Sequence, residues 1–388
     1  MDLFNSALDK NITFVRPPFF IIRGFIGIPN VKYYYVFLFF VFLFSVIGNA
    51  FVMLLILVDH NLQTPKYIAV FSLSFSDLLQ SCALVPKLLD IFLFGHDRIS
   101  YNDCMVFMFF CYVGLSMEAL NLVALSYDRL IAIMSPLHYH LRVTHKSMSR
   151  LIAFFWIFVI LVVLMAIGLL TRLSFCGSVV IKSYFCDHGQ LYRLGCNDTS
   201  PNFVIGILLT VLILWFPLAF ILASYIRIGI ALANISTMQE RVKAFKTCSA
   251  HLSLVAMYFV PILTIYTIGP AIDPNIRIIN FSLTSVLPPL LNPVIYVLQT
   301  HEIKDSVKKL IKVKRQNKVI GRELPSLQDL YVSRALGRAG QITADPFHPG
   351  HGLFEPLPSG RRLRSIRTRT SCHKNSFFPS AVVLMNTS

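Results

Sequence analysis

Long apolar runs alternate with short polar ones over the first three quarters of the chain. Seven runs, at 33–58, 67–93, 104–128, 151–170, 203–226, 247–269 and 277–298, are long enough to cross a bilayer, because about 20 apolar residues span about 30 Å of hydrocarbon as a helix. Backbone groups in lipid must be satisfied internally, so each run is predicted to be helical. The short alternating segments of a membrane barrel are missing from the pattern. Residues 302–313 place Ile303, Val307, Leu310 and Ile311 on one helical face and Lys304, Lys308, Lys309 and Lys312 elsewhere, the mark of a short helix lying on an anionic leaflet. The expected fold is an all-α membrane protein, a seven-transmembrane helix bundle with a short interfacial eighth helix. Its expected divisions are an extracellular segment 1–32, a bundle 33–300, the interfacial helix 301–313 and a disordered cytoplasmic tail 314–388. Residues 1–30 lack a basic start followed by a clean apolar run, so the first span is expected to act as an uncleaved signal anchor.

Composition agrees with the pattern. The 388 residues are 55% hydrophobic and 14% charged, with 33 Phe and 15 Tyr. Soluble domains carry about 25% charged residues, which excludes an ordinary cytosolic globule, and a disordered chain needs low hydrophobicity. The net charge of +16 is split evenly: +8 lies in 1–313 and +8 in 314–388. No folded basic domain concentrates it, so nucleic acid is not an expected partner, whereas membrane lipid is. Lys and Arg number thirteen on one set of loops and ends and ten on the other, which favours an outer amino terminus and an inner carboxyl terminus.

Asn11-Ile-Thr and Asn197-Asp-Thr are glycosylation sequons on the expected outer face. The triplets at Asn234, Asn280 and Asn386 fall in cytosol or membrane and are expected to stay unmodified. Of 8 Cys, Cys104, Cys176, Cys186 and Cys196 lie outside. An even number in an oxidising compartment reads as two disulfides, with three connectivities open. Cys82, Cys111, Cys248 and Cys372 are expected to be free thiols.

Ionisable groups inside a span are costly and mark function. Asp77 lies near the middle of span 2. Glu118 is 14 residues after Cys104, roughly 21 Å along a helix, at a similar depth. Arg129 lies a further eleven residues on, at the inner mouth. Two neighbouring carboxylates cannot both stay ionised in low dielectric without a proton or cation between them. Two readings stay open: a structural sodium ion aided by Asn49 or Asn292, or neutral acids bonded to each other and to Ser74 or Asn121. No other cofactor is expected. Arg129 reads either as a snorkelling cation or, with Asp128, as a pair that opens and closes. Pro261 in span 6 and Pro288, Pro289 and Pro293 in span 7 remove helix hydrogen bonds and permit kinks. Kinked spans beside buried polar groups also occur in transporters, but no inverted repeat is visible.

Residues from about 12 to 313 resemble the odorant receptors, within the rhodopsin-like G-protein-coupled receptors. The resemblance rests on Gly48-Asn49; Leu73-Ser74-Phe75-Ser76-Asp77-Leu78; Ser126-Tyr127-Asp128-Arg129; Ser135-Pro136-Leu137-His138-Tyr139; Ser224-Tyr225; the block Lys243 to His251; and Pro288 to Tyr296 with its Asn292-Pro293-Val294-Ile295-Tyr296 core. The phrasing is most similar to the fish-like group. The resemblance implies a receptor, not an enzyme. An odorant between spans 3, 5, 6 and 7 would activate a stimulatory, olfactory-type G protein and raise cyclic AMP, in the plasma membrane of olfactory sensory cilia. It implies coupling and switch roles for Asp128, Arg129, Tyr225, Asn292, Pro293 and Tyr296, and makes Asp77 and Glu118 the sodium-site acids. Cys104–Cys186 looks like the family's shared disulfide, and Cys176–Cys196 is the favoured second pair. Within that pocket, helical spacing selects Met108, Cys111, Tyr112 and Leu115 on span 3, Phe259, Ile262, Leu263 and Tyr266 on span 6, and Ser282 and Ser285 on span 7.

The chain departs from the family at Leu130, Met134 and Lys66, the last standing where an apolar residue is usual. Carboxylate-sensing members of the fish-like group use a basic residue near the outer end of span 6. Here Ile265 to Pro270 has none, so a neutral or weakly polar ligand is expected. The stretch 329–386, including Asp345-Pro-Phe-His-Pro-Gly-His-Gly-Leu-Phe-Glu-Pro and Asn375-Ser-Phe-Phe-Pro, resembles the carboxyl-terminal end of LINE-type retrotransposon polyproteins. It lacks polymerase motifs and reads as a fused segment.

Overall fold

The structure, a computed structural model, describes residues 15–25, 28, 30–234, 237–268, 273–299, 302–308, 327–345, 348–357, 363 and 377–387. The chain forms two units, 1–307 and 308–388. Seven helices of the first unit are long and apolar enough to cross a membrane: α1 (Lys32–Val58), α2 (Pro65–Phe92), α3 (Tyr101–Met134), α4 (His145–Thr171), α5 (Ser200–Ala233), α6 (Met238–Ile268) and α7 (Pro274–Gln299). Most overrun the apolar windows that announce them, because polar caps start a helix before hydrocarbon begins. Ser100 Oγ accepts the Asp103 amide at 3.1 Å to open α3. Thr144 and Ser147 exchange side-chain bonds at 3.1 and 3.0 Å to open α4, each cap worth about 1 kcal/mol. A π-turn, Val211–Trp215, interrupts α5.

Polarity is inverted relative to a water-soluble globule. Phe37, Phe40, Phe44, Ile47 and Leu54 on α1 are exposed, while Asn49 on the same helix is fully buried. Ser45, Ser74, Ser76, Asp77, Ser81, Glu118, Asn121 and Asn292 are buried with it. Apolar side chains therefore face the lipid zone, and polar ones fill the bundle centre.

The prolines of α7 leave that helix continuous. Pro289 has no N–H for the Ser285 carbonyl four residues back, and Pro293 has none for Pro289. Gln80 Nε2 of α2 donates to Ser285 O at 3.1 Å, and Asn49 Nδ2 of α1 donates to Pro289 O at 2.7 Å. The freed carbonyls thus become the hydrogen-bonded seam joining α7 to its neighbours. Gly48 and Gly114 permit the close approach: a Cβ on Gly48 would stand 3.1 Å from Pro293, and one on Gly114 would stand 2.7 Å from Gln80 Cβ.

At the Cys104 end, a three-stranded sheet has the order β2-β1-β3. β1 (Phe19–Ile22) runs antiparallel to β2 (Arg98–Ser100), Phe20 opposite Ile99, and parallel to β3 (Val180–Ile181), Ile21 opposite Val180. Phe20 is fully buried against Phe175, with ring centroids 5.3 Å apart. Two disulfides, Cys104–Cys186 and Cys176–Cys196, secure the 172–199 loop. Cys82, Cys111 and Cys248 are free, and Cys372 lies outside the described residues.

Residues 302–308 form α8. Ile303 is 1% exposed and joins the main core, with Val307 packed against it. The apolar face therefore docks partly onto the bundle, where the sequence reading lays it on lipid; Leu310 and Ile311 lie outside the described residues.

The second unit differs from the disorder expected of it. Within its described residues, α9 (Leu327–Ala344) and α10 (Phe377–Thr387) are helical. Ala339 and Ile342 share a small core with Phe354, Ala381 and Val382. The Asn386 side chain brackets Leu363, accepting its N–H at 2.7 Å and donating to its carbonyl at 2.9 Å. Ala335, Ala339 and Ile342 recur at i, i+4 and i+7, an apolar stripe that the unit's high charge obscures.

Candidate functional site

A cavity of about 640 Å³ opens between α3, α4, α5, α6, α7 and the 172–199 loop, inside the roughly 300–1,000 Å³ range of small-molecule sites. Helical period brings Met108, Tyr112, Leu115 and Ser116 of α3 to one wall. Tyr258, Ile262 and Ile265 of α6 form another, and Ile278, Phe281, Thr284 and Ser285 of α7 a third. α5 contributes Phe203, Gly206, Ile207 and Thr210, down to its π-turn. A π-turn adds one residue to a helical turn and often marks a functional site.

The loop closes the cavity and is bolted at three places. Cys186 is bonded to Cys104 on α3. Asp187 Oδ1 accepts the Tyr112 hydroxyl at 2.7 Å. Tyr184 OH and Ser285 Oγ lie 3.0 Å apart, and Gln80 holds the Ser285 carbonyl from behind. Burial pushes the Tyr184 phenol well up, so it stays neutral. Burial also lowers the neighbouring His188 imidazole, against the pull of Asp187. His188 is 8% exposed, and its Nε2 has no hydrogen-bond partner among the described residues.

Of the residues that spacing selects, Met108, Tyr112, Leu115, Ile262 and Ser285 line this cavity. Cys111 is buried in the packing of the Cys104 end. Phe259 and Leu263 pack in or against the main core without lining the cavity, and Tyr258, one residue before Phe259 and in the same core, does line it. Ser282 turns toward α1, where its hydroxyl meets that of Tyr34. The Tyr266 side chain lies outside the described residues. On α6 the lining residues are Tyr258, Ile262 and Ile265, so of the selected α6 residues whose side chains are described only Ile262 reaches the cavity. Tyr184, Asp187 and His188 carry no motif; an acid and a histidine beside a disulfide cysteine are the only hint.

Deeper in the bundle, Asn292 Nδ2 donates to Asp77 Oδ2 at 2.8 Å. Glu118 lies within electrostatic reach of Asp77. Asn121 Nδ2 bonds Ser76 Oγ at 3.4 Å, not a carboxylate. Asp77 Oδ1, Glu118 Oε2, Asn49 Oδ1 and Asn121 Oδ1 are buried with no hydrogen-bond partner among the described residues. Among the described residues no three His, Cys, Asp or Glu gather as a metal site.

At the opposite end from Cys104, Asp128 accepts the Tyr139 hydroxyl at 2.7 Å. No ion pair between Asp128 and Arg129 occurs among the described residues. Asp128 is instead bonded to Tyr139, whose phenol burial and Asp128 keep protonated. Tyr225 OH and His251 Nδ1 lie 2.7 Å apart with stacked rings, joining α5 to α6. Tyr296 is buried, and its hydroxyl has no partner among the described residues. Lys66 reaches Glu302 at 3.4 Å and lies 4.5 Å from the Tyr67 ring. Asn197 is exposed; its amide bonds Arg172 O at 2.9 Å and Ser174 N at 3.1 Å. Asn11 lies outside the described residues.

Residues 38–314 match the family model described as Olfactory receptor. Olfactory receptor 2AT4 of Homo sapiens is 30% identical over 298 residues, 76% of this chain and 93% of that protein. Olfactory receptor 1 of Rattus norvegicus is 34% identical over 270 residues, 69% of this chain and 86% of that one. Olfactory receptor 1M1 of Homo sapiens is 32% identical over 294 residues, covering 75% and 94%. Among solved structures, squid rhodopsin superposes with a TM-score of 0.61 at 17% identity, over 81% of this chain and 99% of that chain, a likeness of fold.

Proposed function

The chain belongs to the olfactory receptor family of G-protein-coupled receptors, and on that premise we propose that its odorant site is the cavity under the 172–199 loop. It is a multi-pass membrane receptor of a signalling family, not an enzyme. The observation that carries the assignment is the convergence of Tyr112, Tyr184, Asp187 and Ser285 on one mostly apolar cavity. Burial of an apolar ligand there supplies affinity, and the few polar groups supply orientation.

In this reading the Cys104 end faces outside and the Arg129 end faces the cytosol. A ligand that fits the cavity better when α5 and α6 are spread shifts the population toward that state, by no more than its difference in affinity. Spreading breaks the Tyr225–His251 contact and frees the Tyr225 hydroxyl for Arg129, which then helps admit a stimulatory, olfactory-type G protein, raising cyclic AMP. Asn292, Pro293 and Tyr296 couple this end to the polar centre, where Asp77 and Glu118, aided by Asn49 or Asn292, would hold a sodium ion that favours the closed state. Glycans on Asn11 and Asn197, ciliary residence, fish-like grouping and a retrotransposon origin of the tail belong to the same reading.

The test is cyclic AMP in cells supplied with trafficking chaperones and the stimulatory G protein, challenged with an odorant panel. Arg129→Ala should abolish signalling with surface staining retained. Unchanged signalling in that variant, or no signal from a surface-displayed wild type, overturns the reading. Staining with and without residues 314–388 separates a tail defect from a receptor defect.

A further inference from the structure

The ligand cavity carries an unbalanced charge. Lys182, Arg193 and Arg277 all line it, against a single carboxylate, Asp187. That carboxylate is already engaged, taking the Tyr112 hydroxyl at 2.7 Å and the Gly189 amide at 3.2 Å on the same oxygen. None of the three cations has an ion-pair partner among the described residues, whose salt bridges lie elsewhere. Lys182 and Arg193 are exposed, so solvent satisfies much of their charge, and Arg193 also leans on the Tyr192 ring at 5.8 Å. Arg277 differs: it sits half-buried at the end of the first turn of α7, one residue before the buried Ile278, at the cavity wall. His188 of the loop, nine-tenths buried, also lines the cavity, and its Nε2 has no hydrogen-bond partner among the described residues.

A half-buried guanidinium without a counter-ion is costly to maintain, and its planar fork matches a carboxylate with two parallel hydrogen bonds. Beyond this charged end the cavity is mostly apolar, with Met108, Leu115, Ile262 and Phe281 among its lining and a few hydroxyls such as Ser116 and Thr284 between them. A neutral ligand would leave the cation unmet, whereas a plain inorganic anion would leave the apolar walls unfilled. The two halves together require one molecule with an anionic head and a hydrocarbon body.

We propose that the ligand is a small amphiphilic carboxylate, its head held by Arg277 at the loop end of the cavity and its hydrocarbon body against the apolar walls of α3, α6 and α7. This inference rests on the receptor reading above and replaces the neutral ligand expected from the sequence. The absence of a basic residue in 265–270 does not bear on it, because the cations come from α7 and the loop instead.

The experiment challenges the full-length receptor with matched sets of carboxylic acids, methyl esters and primary alcohols on the same carbon skeletons. The readout is cyclic AMP beside surface staining, for wild type, Arg277→Gln and Arg277→Lys. Acids should be active where their esters and alcohols are not. Arg277→Gln should weaken the acid response at least about tenfold, the loss expected for one charged hydrogen-bond partner, and Arg277→Lys should restore part of it. Direct binding of a tritiated active acid to purified receptor in nanodiscs should fall in parallel, so that lost binding is told from lost coupling. Esters or alcohols as potent as the acids, or acid potency unmoved in Arg277→Gln, overturns the ligand class and leaves the receptor reading standing. Silence toward every compound from a surface-displayed wild type overturns both.

Discussion

Asn49 on α1 donates its side-chain amide to the carbonyl of Pro289 on α7 at 2.7 Å, and that carbonyl is free only because Pro293, four residues on, has no N–H to offer it. The same logic joins Gln80 to Ser285, four residues before Pro289. Prolines that would weaken an isolated helix are thereby converted into interhelical bonds.

Asn49→Leu should strand the Pro289 carbonyl in the bundle centre, at a cost of about 1–3 kcal/mol. Thermal unfolding of the purified receptor should move down accordingly. An unchanged midpoint would show that α7 satisfies this carbonyl by another route.

Gly114→Ala should push α2 and α3 apart, because its Cβ would stand 2.7 Å from Gln80 Cβ and 3.2 Å from Gln80 Cα, neither the end of a flexible chain. Overpacking of this kind costs about 1–3 kcal/mol. Gly168→Ala is the control, since its Cβ meets nothing within 4 Å. Equal melting of the two variants would contradict the account.

Cys186→Ala should cost more than Cys196→Ala. The first bridge closes a separation of 82 residues and the second one of 20, and loop-closure entropy sets them roughly 1.3 kcal/mol apart within a total of about 2–5 kcal/mol. Surface staining and melting of the two variants decide the order. A reversed order would point to loop packing instead of chain entropy.

Acidification should destabilise the loop end through His188. Burial lowers its imidazole below the ordinary value of 6.5, so the folded protein holds it neutral while the unfolded chain protonates first. The contribution is therefore complete above that value and is lost as pH falls through it toward the lower folded value. Melting measured from pH ~7.5 to ~5.5 should show a steeper decline in wild type than in His188→Gln, and parallel declines would assign the effect to another group.

The seven spans, the depths of Asp77, Glu118 and Arg129, and the proline positions were legible because each depends on a short stretch of chain and its hydrophobic period. Phe19–Ile22 was not, since four apolar residues become a strand only when Arg98–Ser100 and Val180–Ile181 lie beside them. The tail helices were masked by charge, although Ala335, Ala339 and Ile342 already lay on one face.

The amino-acid order alone determined a lipid-embedded helical bundle, which residues share a helix face, and where charge enters the membrane. Tertiary structure decided how each face is turned. It set Tyr258 at the cavity wall and kept Phe259 off it, both within the main core, gave Asp128 to Tyr139, and folded Asp187 and His188 down onto α3 and α5. A helix carries its own period, but its rotation about its axis is set only by the neighbours it packs against.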